Sequence, residues 1–134
     1  MMTFDEFEEN VRREIEALPE YVKEELNGGV LVDTAEYLHP QAVARDLYIL
    51  GTYSNTWPYG KQIVLYYGSF MRTMGGAPEE VIRAQIRDTL RHEFLHHMET
   101  RAGMFGKGTL IEEDAQRMMR YYMRHAEENA DYTK

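Results

Sequence analysis

The sequence predicts a compact α+β fold in a single domain. The 134 residues suit one domain. Amphipathic helical patterns occupy both ends of the chain, and short segments rich in β-branched and aromatic residues lie between them. We therefore expect one α+β domain that spans residues 1–134.

The first predicted element is an amphipathic helix over residues 3–26. Apolar residues recur there at three- and four-residue steps. Thr3 followed by Glu6 fits a capping box at the start. Pro19 lies inside the pattern, so we expect a break or kink at that position. The glycines after Asn27 are a stop signal.

Three short segments in the middle of the chain predict strands. They are Val30–Thr34, Leu47–Tyr53 and Gln62–Tyr67. The residues between the second and third segments, 55–61, contain proline and glycine and read as a turn. A short turn favours antiparallel pairing of these two strands.

Two helices are predicted in the C-terminal half. Pro78 suits the first turn of a helix that continues to Thr100. A glycine-rich connection follows, with glycines at positions 103, 106 and 108. The last helix is expected from Ile111 to Ala126, and residues 127–134 are expected to be a frayed tail. A methionine stripe on this helix is interpreted as core packing, at Met118, Met119 and Met123.

The strongest chemical signal is His92-Glu93-Phe94-Leu95-His96, which matches H-E-x-x-H within a helical segment. Positions i and i+4 lie one above the other on a helix, so both imidazoles can be aimed at one metal ion. Glu93 lies beside His92 and can act as a general base toward a water molecule. The motif predicts metal-assisted hydrolysis with Zn²⁺. The alternative is a chance match, in which case the helix carries ordinary surface histidines.

A catalytic zinc site usually has three protein ligands, so two histidines leave one ligand to find. Glu99 shares a helical face with His92, but it is a poor candidate because seven residues rise about 10.5 Å along an unbroken helix. We expect the chain to turn at the glycine-rich connection and return with Glu112, Glu113 or Asp114. Spacing leaves these three acids equivalent, and first-turn acids also stabilise a helix N-terminus.

Other histidines and tyrosines carry weaker predictions. His97 points away from the metal by helical geometry, so a supporting or core role is expected. His39 and His125 are expected to be surface residues. A tyrosine hydroxyl could stabilise an oxyanion, although packing is the simpler role for each candidate, namely Tyr66, Tyr67, Tyr121 and Tyr122.

From Tyr48 onward the chain resembles the small bacterial zincin-like metallopeptidases. The likeness is carried by Leu50–Tyr53, by the segment Gln62–Tyr67, and by Thr89–His97 with its doubled histidine. The N-terminal helix and the first strand also fit, so the resemblance covers most of the chain. Outside the H-E-x-x-H motif the resemblance is loose.

The family's pattern and this sequence differ after the second histidine. The family continues as H-E-x-x-H-x-x-G-x-x-D, with the aspartate as third ligand. Here Glu99 replaces the glycine and Ala102 replaces the aspartate, so residues 98–111 look like an insertion. The resemblance then realigns the acidic run, which makes Asp114 the favoured third ligand and Glu113 the alternative.

The resemblance also implies an architecture. In this family a small twisted mixed sheet packs on the active-site helix, with helices at both termini. An edge strand of the sheet can hold an extended peptide by β-augmentation. The expected substrate edge is Ile63, Val64, Leu65 and Tyr66.

The functional hypothesis is a zinc-dependent metallopeptidase. His92, His96 and Asp114 hold one Zn²⁺ per chain, and Glu93 is the general base in the hydrolysis of a peptide or protein substrate. One alternative is a zinc-binding protein of this fold that binds a partner or cleaves one specific protein. Another is a metal-dependent nuclease or other hydrolase.

Composition narrows the partners and the compartment. The net charge of -8 and the absence of a basic run argue against nucleic acid and anionic membranes. The absence of cysteine excludes disulfides and cysteine-type zinc sites. The acidic N-terminus has no signal-peptide pattern, and no apolar run approaches the length of a membrane span. We expect a soluble, cytoplasmic protein.

Overall fold

The helices and strands follow the predicted α+β order. The computed structural model describes residues 1–103 and 110–132. The elements in these residues are α1 (Phe4–Glu16), α2 (Glu20–Lys23), β1 (Gly29–Asp33), β2 (Gly51–Thr56), β3 (Gly60–Tyr66), α3 (Tyr67–Met74), α4 (Glu79–Arg101) and α5 (Leu110–Tyr132). Gly106 and Gly108 of the predicted connection lie outside the described residues.

The first predicted helix is divided at Pro19, as expected. Thr3 caps α1: its hydroxyl accepts a hydrogen bond from the Glu6 amide at 3.2 Å and donates one to Glu6 Oε1 at 3.0 Å. α1 ends at Glu16, and Pro19 precedes the short helix α2. Proline has no N–H to donate within a helix, which explains why a second helix begins here.

The sheet is mixed and three-stranded within the described residues, in the order β1-β3-β2. β3 pairs parallel with β1 and antiparallel with β2. The predicted antiparallel pair is therefore confirmed. A crossover between parallel strands cannot be short, and the long segment between β1 and β2 lets β3 lie between them.

The expectation that Ile63, Val64, Leu65 and Tyr66 form an edge strand is wrong. These residues lie in β3, which is hydrogen-bonded on both sides. Ile63 and Leu65 are fully buried, which is the environment of a central strand and not of an edge. The edge strand that contacts α4 is β2.

The second strand begins later than its apolar residues suggest. The sequence pattern predicts it at Leu47–Tyr53, whereas β2 runs from Gly51 to Thr56. The preceding residues pair with another segment: the His39 amide donates to the Leu47 carbonyl at 2.8 Å, and the Ile49 amide donates to the Tyr37 carbonyl at 2.7 Å. The first part of the apolar run thus pairs with the segment around Tyr37 and His39, and the part from Gly51 onward pairs with β3.

Helix α3 is an element that the sequence interpretation left out. It follows β3 directly and buries Phe70 and Ser69. Its apolar positions, Tyr67, Phe70, Met71 and Met74, have helical spacing that could have revealed it. The preceding strand pattern runs into these residues and hides the start of the helix.

The core lies between α4, α1 and the sheet. α1 contributes Phe7 and Val11, β3 contributes Ile63 and Leu65, and α3 contributes Phe70. The core residues of α4 are Ile82, Ile86, Leu90 and Phe94. Packing of these side chains fixes α4, which carries the H-E-x-x-H motif.

Helix α5 differs from its predicted form in two respects. It continues to Tyr132, beyond the expected end at Ala126 and through most of the expected frayed tail, residues 127–134. The interpretation of the methionine stripe as core is wrong for Met119 and Met123, which are 63% and 60% exposed. The inward face of α5 instead follows Asp114, Met118 and Tyr121.

Among the helices of residues 1–103 and 110–132, none combines the length and the apolar character of a membrane span.

We predict that Gly68→Ala destabilises the fold, because Gly68 lies against the backbone of Ala35. A Cβ atom at Gly68 would lie 2.5 Å from the Ala35 carbonyl carbon and 2.6 Å from its oxygen. Backbone atoms cannot rotate away, so we expect the free energy of unfolding to fall by about 1–3 kcal/mol in urea denaturation. Gly76→Ala is the control, since nothing lies within 4 Å of a Cβ there. Equal stability of the two variants would contradict this packing.

Candidate metal and catalytic site

Three potential ligands converge at the junction of α4 and α5. His92 and His96 lie one turn apart on α4, with ring centroids 4.9 Å apart. Asp114 reaches both rings from α5: its Oδ2 lies 2.9 Å from His96 Nε2, and its Oδ1 lies 3.3 Å from His92 Nε2. One ligand atom from each residue lies within 4.8 Å of the other two. All three side chains are half-buried.

Of the acids considered as third ligand, Asp114 is the one that lies beside both histidines. Glu113 is exposed and does not join the three-residue group, and neither does Glu99. The side chain of Glu112 lies outside the described residues. α5 therefore returns toward α4 as the spacing argument requires.

The Glu93 carboxyl is buried beside this group. The residue is 5% exposed, and Oε1 lies 4.0 Å from His92 Nε2. Oε2 has no hydrogen-bond partner among the described residues. Burial raises the pKa of the Glu93 carboxyl above its usual value, partly offset by the two nearby histidines. A buried carboxylate oxygen without a partner is costly unless a ligand or water satisfies it.

The charges of Asp114 and His96 stabilise each other. Burial alone would raise the pKa of Asp114, but hydrogen bonds from His92 and His96 outweigh burial and hold that pKa well below its usual value. The hydrogen bond to Asp114 in turn raises the pKa of His96. A metal ion bound here would have to displace the proton in the hydrogen bond between His96 and Asp114, because metals bind neutral imidazole.

Gly51 allows β2 to approach α4 at the position of Glu93. A Cβ atom at Gly51 would lie 2.8 Å from Thr89 Cγ2 and 3.5 Å from Glu93 Cγ. Thr89 is β-branched and 9% exposed, so its methyl group has little freedom to move. Glycine at this position therefore sets the distance between the sheet and the buried carboxyl.

His92 and Asp114 of this group, together with Glu93, line a cleft of about 790 Å³. Its floor is α4, one wall is the segment 47–52, and the other wall is α5. The floor residues are Gln85, Asp88, Thr89, His92 and Glu93. The α5 residues are Asp114, Arg117, Met118, Arg120, Tyr121 and Arg124. A concave site with convergent polar groups and a carboxyl of raised pKa is the usual form of an active site.

His97 is buried in the interior between α4 and β2, in agreement with the expected core role. It is fully buried, and its Nε2 donates to the Glu24 carbonyl at 2.7 Å. Because Nε2 is the donor, Nδ1 of the neutral ring accepts from the Tyr53 hydroxyl at 2.8 Å. Burial lowers the pKa of His97, which favours this neutral form. The ring thus links α4 to β2 and to the end of α2.

His125 differs from the expected surface role, whereas His39 is partly exposed. The side chain of His125 is 15% exposed, and its Nε2 lies 2.7 Å from Asp46 Oδ2. Its ring also packs against Tyr121, with centroids 4.6 Å apart. His39 lines the cleft, and its Nδ1 accepts a hydrogen bond from the Gln41 amide at 3.1 Å.

The hydroxyls of the four candidate tyrosines take part in structural contacts. Tyr67 donates to the Met2 carbonyl at 2.6 Å and Tyr122 donates to the Gln41 carbonyl at 2.9 Å. Tyr66 lies 3.4 Å from Thr52 Oγ1, and Tyr121 donates to Asp46 at 2.8 Å. These contacts agree with the packing role; of the four, Tyr121 lines the cleft.

Sequence reasoning missed the basic side chains of the cleft. Arg117, Arg120 and Arg124 line its α5 wall, although the chain carries a net charge of -8 and no basic run. Their spacing of three and four residues is the signal that was available, because it puts them on one helical face. The packing of α5 against α4 is what brings these side chains into one cleft.

We predict that Tyr53→Phe lowers the free energy of unfolding by about 1–2 kcal/mol, because the buried Nδ1 of His97 would lose its donor. Urea denaturation measures the change. Tyr21→Phe is the control, since Tyr21 is 60% exposed and should have little effect. A Tyr53→Phe variant as stable as the control would contradict the structural role of this hydrogen bond.

The chain is similar to known proteins at the level of solved structures. No protein-family model matches the chain, and no curated protein matches it. A solved structure that is similar is that of a conserved hypothetical protein from Thermo thermophilus. The two chains are 32% identical, and the match covers 75% of this chain and 98% of that chain with a TM-score of 0.63. At this identity and coverage, the chain belongs to the same family as that conserved hypothetical protein.

Proposed function

We propose that this protein is a zinc-dependent metallopeptidase. The observation that carries the proposal is the convergence of His92, His96 and Asp114 beside the buried carboxyl of Glu93. Two imidazoles and one carboxylate are a ligand set found in catalytic zinc sites. A general base within reach of that set is the further requirement of metal-assisted hydrolysis.

The distances suit an ion of this size. Tetrahedral ligands 2.0–2.2 Å from zinc lie about 3.3–3.6 Å from one another. The ligand atoms of the three residues lie within 4.8 Å of one another, so small side-chain movements accommodate the ion. The Oε1 oxygen of the Glu93 carboxylate lies 4.0 Å from His92 Nε2, which puts it within reach of a water molecule beside the ion.

Glu93 has the properties of the proton carrier. When bound, Zn²⁺ supplies Lewis-acid chemistry and lowers the pKa of a coordinated water to about 7. Burial raises the pKa of Glu93 toward the range in which a carboxylate accepts and later releases a proton. The Glu93 carboxylate, whose Oε1 lies 4.0 Å from His92 Nε2, takes the proton of the attacking water as the C–O bond forms. The same proton then goes to the amine nitrogen as the C–N bond breaks.

The peptide would lie along β2, and not along β3 as the sequence predicts. Gly51 and Thr52 of β2 line the cleft. Within the described part of the chain, β2 pairs with β3 alone, so its other edge keeps backbone groups for an added strand. An extended peptide on this edge passes Glu93, because Gly51 brings β2 against that side chain.

We predict one zinc per chain in the purified protein and its loss in His92→Ala and Asp114→Ala. Removal of one of three ligands lowers metal affinity sharply. Elemental analysis after equilibration with zinc measures the content. Glu113→Gln and Glu99→Ala are matched controls that should keep the metal. Zinc retained in Asp114→Ala, or no zinc in the parent protein, would contradict the proposed ligand set.

We predict that Glu93→Gln keeps its zinc and loses peptide hydrolysis by at least about 10²-fold, since glutamine cannot accept the proton. Cleavage of a mixed peptide library, followed by mass spectrometry, measures turnover. Glu113→Gln makes the same chemical change on the exposed first turn of α5 and should retain activity. Undiminished hydrolysis by Glu93→Gln would exclude this mechanism.

A further inference from the structure

We propose that the cleft selects acidic peptides, through a row of three arginines on its α5 wall. The row consists of Arg117, Arg120 and Arg124. The inference rests on the proposed peptidase function and names the class of its substrate. The substrate is an extended segment with Asp or Glu side chains within about three residues of the scissile bond.

The spacing of the row matches an extended peptide. Arg117 and Arg124 are seven residues apart, a rise of about 10.5 Å along the helix. A strand advances about 3.3 Å per residue, so the row is as long as about three residues of bound peptide. Alternate side chains of a strand point to the same side. Acidic side chains two positions apart can therefore meet neighbouring arginines.

The row begins beside Asp114 and leads away from the candidate metal site. Arg117 Nη1 lies 3.4 Å from Asp114 Oδ1. At the far end, the Arg124 guanidinium lies 5.8 Å from the centroid of the Tyr121 ring. Guanidinium groups bind carboxylates through two parallel hydrogen bonds, which suits the side chains of Asp and Glu.

The local charges of the cleft favour an acidic ligand despite the acidic surface. The acids that line the cleft are Asp88, Glu93 and Asp114. A bound Zn²⁺ would offset the charges of Glu93 and Asp114, which would leave one acid against three arginines. At physiological salt the screening length is about 8 Å, so surface acids outside the cleft have little effect at this range.

The opposite wall gives the peptide an apolar side. Leu47, Ile49 and Leu50 line the cleft across from α5. A peptide that alternates acidic and apolar residues would direct its acids to the arginines and its apolar side chains to this wall.

Binding by the zinc-loaded Glu93→Gln protein tests the proposal without cleavage. The probes are two fluorescein-labelled peptides of the same sequence, except that one has Glu and the other Gln at alternate positions. The cleft variant is Arg120→Ala/Arg124→Ala. The control is Arg13→Ala/Arg83→Ala, which removes the same charge at exposed positions outside the cleft.

Fluorescence anisotropy should show that the Glu peptide binds at least about tenfold tighter than the Gln peptide. The cleft variant should reduce this preference to about twofold or less, and the control should preserve it. Equal binding of the two peptides, or an equal effect of the two variants, would overturn the proposal. Tighter binding of single-stranded RNA than of the Glu peptide would also overturn it.

Turnover by the parent protein separates this inference from the proposed function. Cleavage of a peptide library without preference for acidic sequences overturns the inference and leaves the peptidase. An arginine-dependent preference in binding, together with zinc content but no cleavage, supports the selection of acidic peptides and counts only against the peptidase activity.

Discussion

Burial of one face of α4 is the constraint on which the site depends. The buried apolar residues of this helix are Ile82, Ile86, Leu90 and Phe94. Their packing against α1 and the sheet fixes the rotation of the helix about its axis. His92 and His96 lie beside the cleft at this rotation, while Glu93 and His97 turn toward the interior. One residue corresponds to a rotation of about 100°, so a shift of the helix by one residue along the sequence would exchange these roles.

The same burial is unfavourable for the stability of the fold and raises the pKa of the Glu93 carboxyl. A carboxyl that is 5% exposed, with one oxygen lacking a partner in the described residues, does not stabilise the fold. Its raised pKa is the expected consequence of losing water. Proteins tolerate such groups mainly at sites where another molecule completes the hydrogen bonding. The neighbouring histidines and Asp114 favour a water or ligand at the candidate metal centre as that molecule.

The cleft depends on polar contacts between α5 and the segment before β2. Tyr121 donates to Asp46 at 2.8 Å and His125 lies 2.7 Å from the same carboxylate. Tyr122 donates to the Gln41 carbonyl at 2.9 Å. These contacts join α5 to the segment that leads into the wall at residues 47–52. Since α5 supplies Asp114, the contacts that form the cleft also hold the third potential ligand in place.

The sequence by itself determined the helices at both ends, the break at Pro19, the strands flanking residues 55–61 and the histidine pair. These features depend on periodicity, on proline and on motif spacing, which act over a few residues. It also narrowed the candidates for a third metal ligand to a short acidic run. Tertiary structure decided that β3 is central, that apolar Met119 and Met123 face outward, and that Asp114 lies beside the histidines. The arginine-lined cleft also arises only in the tertiary structure. These features depend on how α5 packs and on which strands pair across long sequence separations, and local sequence patterns do not determine either.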